Sequence, residues 1–313
     1  MSSLGELRSI ALARKQGGAK DRARTPDNVA GYLFLAPWII GLVVFTIGPM
    51  VASLYLAFTR YNLLQPPEWI GVDNFVRMAG DERLWNSLWV TLIYVGVGVP
   101  LQLALALAIA VLLDRGMRGL AIYRSIFYLP SLLGGSVAIA ILWRQVFGTD
   151  GIINGFLAWF GIEGTGWISN PDTALGTLII LNVWTFGSPM IIFLAGLRQI
   201  PEMYYEAAQV DGAGRVKRFF SITFPLLTPI IFFNLVLQII FAFQSFTQAY
   251  IVSGGSGGPS DSTMFFTLYL YKQAFELLNM GYASALAWFL LIIIAGFTAI
   301  NFWVSKYWVF YDD

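Results

Sequence analysis

The chain of 313 residues has no cysteine and no histidine. Disulfides, thiol nucleophiles, Cys/His zinc centres and imidazole proton relays are therefore excluded. Charge is scarce too. Only 12% of residues are Asp, Glu, Lys or Arg, against about 25% in an ordinary soluble domain, while 57% are hydrophobic. That leaves too little polar surface for a water-soluble globule, so lipid is the solvent for much of the chain. The signature G-x-x-x-x-G-K-[ST] is also missing, which excludes nucleotide hydrolysis by that route.

What is present is a series of apolar runs, each close to the roughly 20 residues that a membrane-crossing helix needs. Six qualify: 30–58, 85–113, 121–142, 173–197, 225–253 and 282–305. Unpaired backbone groups cost several kcal/mol in hydrocarbon, so each run is expected to be helical. Gly48-Pro49 and Pro130 are expected to kink the first and third helices. No ionisable residue lies deep in any run. Arg124, Arg144 and Lys306 sit near run ends, where their heads can snorkel to water. This excludes coupling through an intramembrane carboxylate or histidine and disfavours an ion-driven carrier. A charged solute would also want a buried opposite charge, so any solute handled here is expected to be neutral.

Lysine and arginine set the orientation. Arg60, Arg77, Arg83, Arg144 and Lys272 fall on one side of the six runs, and the rest of the 19 basic residues fall on the other. Both termini are thus expected in the cytoplasm. Residues 1–29 read as a basic tail, helical near "LGELRSIALARK" and touching anionic lipid. Residues 30–308 read as the six-span domain and 309–313 as a short cytoplasmic end. On the outer side, "QPPEWIGVDNF", "GTDGIINGFLAWFGIEGTGWISNPD" and "GGSGGPSDST" carry turn chemistry. Within the second of these, the apolar run 152–160 is expected to lie along the membrane surface.

One polar island, residues 198–224, interrupts the apolar sequence. An ordinary connection runs about four to six residues; this one is far longer and reads as helical at both ends. Pro201 suits a first helical turn, and Glu202 and Glu206 favour a helix N-terminus. Asp211-Gly212-Ala213-Gly214 breaks the pattern, since glycine permits a sharp bend. "RVKRFFSIT" then restarts a helix, and Pro225 opens the next run. Ala207, Ala208, Gly212, Ala213 and Gly214 give a low-relief face on which another protein can pack.

Glu206-Ala207-Ala208, Asp211-Gly212-Ala213, Ile222 and Pro225 together resemble the EAA motif of importer-type ABC permease subunits. "FLAPWIIGLVVFTIGPMVASLYLAFT", "WIGVDNF", "LAGLRQIP", "SGGSGGP" and "GYASALAW" resemble the carbohydrate-uptake branch, which takes in maltose, lactose, multiple sugars and glycerol-3-phosphate. The resemblance covers nearly the whole chain from Tyr32 onward. It implies an all-α polytopic membrane protein of the type I ABC importer permease fold, with six transmembrane helices and a cytoplasmic coupling-helix pair. It also implies a bacterial or archaeal cytoplasmic membrane, a second homologous permease subunit, a cytoplasmic ABC ATPase dimer and an extracytoplasmic solute-binding protein, with no nucleic acid. This subunit would be non-catalytic and would bind no cofactor, ATP and Mg residing on the ATPase. Glu206 would contact that ATPase, Gly212 would allow the bend, and Ala207 and Ala208 would permit close packing.

Neutral sugars are held by amides and hydroxyls beside aromatic faces, groups that are costly in lipid. The fifth run carries Asn234, Gln238, Gln244, Ser245 and Gln248 among Phe241, Phe243 and Phe246. Gln238, Phe241 and Ser245 share a face at i, i+3, i+7, as do Phe241, Gln244, Ser245 and Gln248. The fourth run carries Asn182, Trp184, Thr185 and Ser188 beside Gly187 and Pro189. Related sugar permeases make ligand contacts in these regions, which favours Phe241 and Gln244, then Asn182 and Trp184. Polar side chains also glue transmembrane helices, at about 0.6 kcal/mol each, so every one of these residues has a structural alternative. A polyol, glycerol-3-phosphate or oligopeptide permease of the same machine type, and a stand-alone secondary carrier, are the rival readings.

Overall fold

A computed structural model of the chain describes residues 24–116 and 119–310. The expected helix near "LGELRSIALARK", residues 117–118 and the last three residues lie outside the described part. The chain divides into two units, Met1–Leu56 and Ala57–Asp313.

The first unit holds α1 (Arg24–Leu42), a π-helical turn (Val43–Ile47) and the start of α2 (Gly48–Ala57). Gly31–Ala57 runs through the expected kink at Gly48-Pro49 as one unbroken span. Proline cannot donate to the carbonyl one turn back. The turn before it widens instead, and Gly48 N–H bonds Val43 O. The helix is already formed at Arg24, the first described residue, inside the expected tail. Phe34, Trp38 and Phe45 are exposed, as suits a helix solvated by lipid.

The second unit opens with two short antiparallel strands, β1 (Thr59–Arg60) and β2 (Glu68–Trp69), in register Thr59↔Trp69. Asn62 Oδ1 accepts from the Leu64 and Gln65 N–H groups and closes the turn. Then come α3 (Asp73–Ala79) and α4 (Glu82–Leu113). The α4 residues Leu84, Leu88, Thr91, Val95, Gly98, Gln102, Ala106, Ala110 and Leu113 are buried. They recur every three or four positions, so they form one stripe. The helices α8 (Pro171–Trp184), α9 (Gly187–Leu197), α12 (Phe224–Phe243) and α14 (Phe266–Tyr271) pack against α4. The core therefore runs along this helix, with Leu178, Leu181, Met190, Phe193, Leu227, Phe243 and Phe266 fully enclosed.

Four helices of the described residues are long and apolar enough to span a membrane, and there are six spans when two bent pairs are counted. One pair is α5 (Leu120–Leu133) with α6 (Val137–Val146), bent by 96°; the other is α8 with α9, bent by 40°. Pro130 lies inside α5, so the expected kink is displaced to Gly134-Gly135, where Ser136 caps α6 by accepting from Ile139 N–H. The fifth run does not reach Ser253 as one helix. It stops at Phe243 and restarts as α13 (Thr247–Val252). The sixth span is α15 (Met280–Ser305). A short α7 (Ile152–Ala158) exposes Ile152 and Phe156. Two further short helices, α10 (Glu202–Val210) and α11 (Arg215–Arg218), lie in the polar island.

Candidate functional site: a coupling segment and three helix breaks

In the polar island, α10 runs from Glu202, so Pro201 is the residue before the helix rather than its first turn. The C-terminal end is a Schellman turn. Ala213 N–H donates to Ala208 O at 2.9 Å and Gly212 N–H to Gln209 O at 3.1 Å. Gly212 has φ +72°, a conformation strained for any side chain. The motif spacing is thus mechanical: Ala208 supplies the carbonyl that the bend closes upon, and Gly212 supplies the left-handed residue. Gly214 has an ordinary φ of −67°, so the bend does not require it. No atom lies within 4 Å of a Cβ built on Gly212 or Gly214. Glu206, Ala207 and Asp211 are exposed, and Ala208 and Ala213 half-buried. Around this low saddle stand apolar side chains that the sequence reading passed over, Met203, Val216 and Val210, the last 89% exposed.

The segment is tied to the bundle at two points. Arg198 pairs with Asp114, just past α4, at 3.6 Å. Tyr205 Oη and Thr223 Oγ1 share a hydrogen bond of 2.9 Å between α10 and the π-helical turn Phe219–Thr223. These contacts join the segment to the end of α4 and to the turn that leads into α12.

The three helix breaks meet one another. Gln102 Nε2 donates to Thr185 O at 3.1 Å and to Thr185 Oγ1 at 3.0 Å. Ser131 Oγ donates to the same Thr185 O at 2.7 Å and accepts from Ser188 N–H at 2.9 Å. Gln248 Nε2 donates to Gly134 O at 3.1 Å, and Ser245 Oγ to Gln248 Oε1 at 3.4 Å. Carbonyls that a break releases from helical bonding are thereby satisfied by side chains, as hydrocarbon demands. Two glycines make room. A Cβ on Gly134 would collide with Thr185 Cγ2, and one on Gly187 would collide with Phe127 O and lie 2.7 Å from Tyr128 Cα.

The expected solute residues thus separate. Ser245, Gln248 and the backbone of Ser188 belong to the stitched breaks. Trp184 packs beside Trp143, with ring centroids 6.0 Å apart, and Trp143 Nε1 donates to Thr177 O. Asn234 Nδ2 bonds back to Ile230 O within its own helix. Gln238 is half-buried on α12. Phe241 and Gln244 are exposed at the break. The shared face expected for Phe241, Gln244, Ser245 and Gln248 does not exist, because helical spacing ends at Phe243. Asn182 lies against Gly98, and its buried Nδ2 has no hydrogen-bond partner among the described residues; Gln102 Oε1 is orphaned likewise. Unspent polar atoms of this kind mark where a polar guest or water would be welcome. Gln102 and Ser131 escaped the sequence reading because a lone polar residue in an apolar run gives no sign of a distant partner.

At the opposite end of α4, Asp81 forms a second polar node. Its carboxylate accepts from Tyr269 Oη at 2.5 Å, Tyr282 Oη at 2.6 Å and Leu84 N–H at 3.1 Å. Partial burial opposes its ionisation, but these donors and the nearby Arg77 prevail and hold its carboxyl below the ordinary value. Arg83 and Asp261 pair at 2.7 Å beside it.

A family model described as "Binding-protein-dependent transport system inner membrane component" matches residues 77–307. The chain is 57% identical, over 94% of its own length and 96% of the relative's, to the "Probable ABC transporter permease protein YesP" of Bacillus subtilis (strain 168). It is 32% identical, over 89% and 95%, to the "Lactose transport system permease protein LacF" of Rhizobium radiobacter. A chain of the bacterial alginate ABC transporter, solved with an alginate pentasaccharide-bound periplasmic protein, superposes with a TM-score of 0.78 at 22% identity. That match covers 90% of this chain and 95% of the other, so the two share a fold.

Proposed function

The chain belongs to the family of binding-protein-dependent transport system inner membrane components, and on that premise we propose that it forms half of the pathway of an ATP-driven importer of a neutral sugar. The observation that carries the coupling role is the open saddle of α10 and α11. Its bend is fixed by Gly212, and its charged rim carries Glu206 and Asp211. A nucleotide-hydrolysing ATPase dimer seats there and binds the ATP and Mg; this chain is non-catalytic and needs no cofactor. A second homologous permease completes the pathway, and an extracytoplasmic binding protein delivers solute to the other end. Both termini and residues 198–224 face the cytoplasm of a bacterial or archaeal cell, a reading that the bias of the basic residues supports.

A sugar suits the pathway better than an anion. The exposed Phe241 and Gln244 and the orphaned amide of Asn182 offer an aromatic face and neutral hydrogen-bonding groups, and the break network contains no lysine or arginine. The relative named for lactose supports the same class. Glycerol-3-phosphate would need basic residues from the partner permease. The test is reconstitution in liposomes with the binding protein, partner permease and ATPase. Labelled sugar should accumulate only with ATP, and Glu206→Lys should abolish uptake while the subunits remain assembled. Uptake by this chain alone would favour a secondary carrier and overturn the reading.

A further inference from the structure

Beneath α11 lies a cleft of about 610 Å³, lined by Val111, Asp114, Arg115, Leu197, Tyr205, Arg215, Val216, Arg218, Phe219, Phe220 and Thr223. From its position, charge and walls we infer that this cleft is a binding site for one anionic phospholipid, its phosphodiester held between Arg115 and the Arg215/Arg218 pair. The volume falls within the range of about 300–1,000 Å³ usual for ligand sites.

Three observations carry the assignment. First, the cleft holds three guanidiniums and one carboxylate, and that carboxylate is engaged elsewhere, by Arg198. Among the described residues Arg115, Arg215 and Arg218 form no ion pair. Arg215 and Arg218 are three apart on α11 and so share a face. Guanidinium forks match phosphate oxygens. Second, Arg115 follows the last residue of the α4 span by two positions, which places it at the edge of hydrocarbon, where headgroups lie. Third, the remaining wall is mostly apolar. Val111, Leu197, Val216, Phe219 and Phe220 supply it, and Phe220 is 63% exposed. A free inorganic anion has no use for such a wall, whereas an acyl chain does. The hydroxyls of Tyr205 and Thr223 are already bonded to each other, so they rank behind the arginines as phosphate donors. A lipid seated here would bridge the end of α4 to the coupling segment and make the stiffness of that connection depend on bilayer charge.

The test uses the full chain, purified in mild detergent and examined by native mass spectrometry. Phosphatidylglycerol, phosphatidylcholine or inorganic phosphate is added in separate arms. One phosphatidylglycerol should stay bound at energies that strip phosphatidylcholine. The variant Arg215→Gln/Arg218→Gln should weaken that retention roughly twenty-fivefold, at about fivefold for each guanidinium near a charged headgroup. Arg115→Gln, on the opposite wall, should weaken it about fivefold. Arg77→Gln, at the other end of α4, should leave it unchanged. Equal retention of the two lipids, undiminished retention in the arginine variants, or displacement by inorganic phosphate would each overturn the lipid site. So would loss of the lipid from the transporter when it is purified with its partner subunits, since the arginines would then belong to a protein contact.

Discussion

The Asp81 node and the polar segment 198–224 use charge in opposite ways. Asp81 spends its carboxylate on two tyrosine hydroxyls and a backbone N–H, all within this chain. Residues 198–224 carry Glu206, Asp211, Arg215 and Arg218, and none of these forms an ion pair among the described residues. The stitched helix breaks side with the Asp81 node, since their released carbonyls are answered internally. Satisfied groups hold a fold together, and unspent groups wait for a partner. Substitutions in the sealed regions should therefore cost folding, and substitutions in the open region should cost transport alone.

The sharpest test of the sealed side is Gly187→Ala. The added methyl would meet the backbone at Phe127 and Tyr128 rather than a pliable side-chain tip. Overpacking of this kind costs about 1–3 kcal/mol, and the upper end applies because backbone must move. Thermal unfolding in detergent should show a clear loss of stability. An unchanged midpoint would mean that α5 and α9 are not in close contact. Gly212→Val tests the open side. No atom lies within 4 Å of a Cβ placed there, but the left-handed φ costs about 1–2 kcal/mol. Because α10 ends in water, that strain should appear as lost ATP-driven uptake more than as lost stability. Equal losses in both would blur the contrast.

Hydropathy located the spans because it needs only an average over many side chains. It could not locate the breaks, because Leu132, Leu133 and Val137 remain apolar across the bend. Pro130 drew attention to the right helix and the wrong residue; the turn happens where Gly134 lets Thr185 approach. The bend between α10 and α11 was legible from Gly212, since glycine beside Asp211 in a polar stretch has few other uses. The partners of Gln102 and Ser131 were not, since they lie 83 and 54 positions away.

Asp81→Asn gives the next effect. It keeps the shape and removes the charge that two tyrosines answer. A hydrogen bond to a charged group contributes about 1.5–3 kcal/mol, and access of solvent to this carboxylate puts the expected loss near the lower figure. The sign of its pH dependence is fixed. Asp81 is more acidic in the folded chain than its ordinary value of 3.8, so its contribution is complete above that value. It fades as the pH falls below 3.8 and through the depressed pKa. Wild type and Asp81→Asn should differ in unfolding midpoint at pH 7 and converge under acid. A gap that persists through acid would assign the effect to packing instead of charge.

The smallest expected effects divide one pair of glutamines within a single helix break. Gln248 donates to Gly134 O, whereas Gln244 lies exposed four residues earlier. Gln248→Ala should cost about 0.6 kcal/mol, a typical interhelical hydrogen bond in a membrane, because it leaves a released carbonyl without a partner. Gln244→Ala removes no bond made by that side chain within the described residues, so the unfolding midpoint should hold. If Gln244 faces the solute, the loss should instead appear as weaker apparent affinity in uptake, by about fivefold for one neutral hydrogen bond near 1 kcal/mol. Reversal of the two outcomes would make Gln244 part of the scaffold and Gln248 the residue nearer the solute. The order of the pair therefore decides whether internal satisfaction separates structure from transport within a few residues, as it does between the two ends of α4.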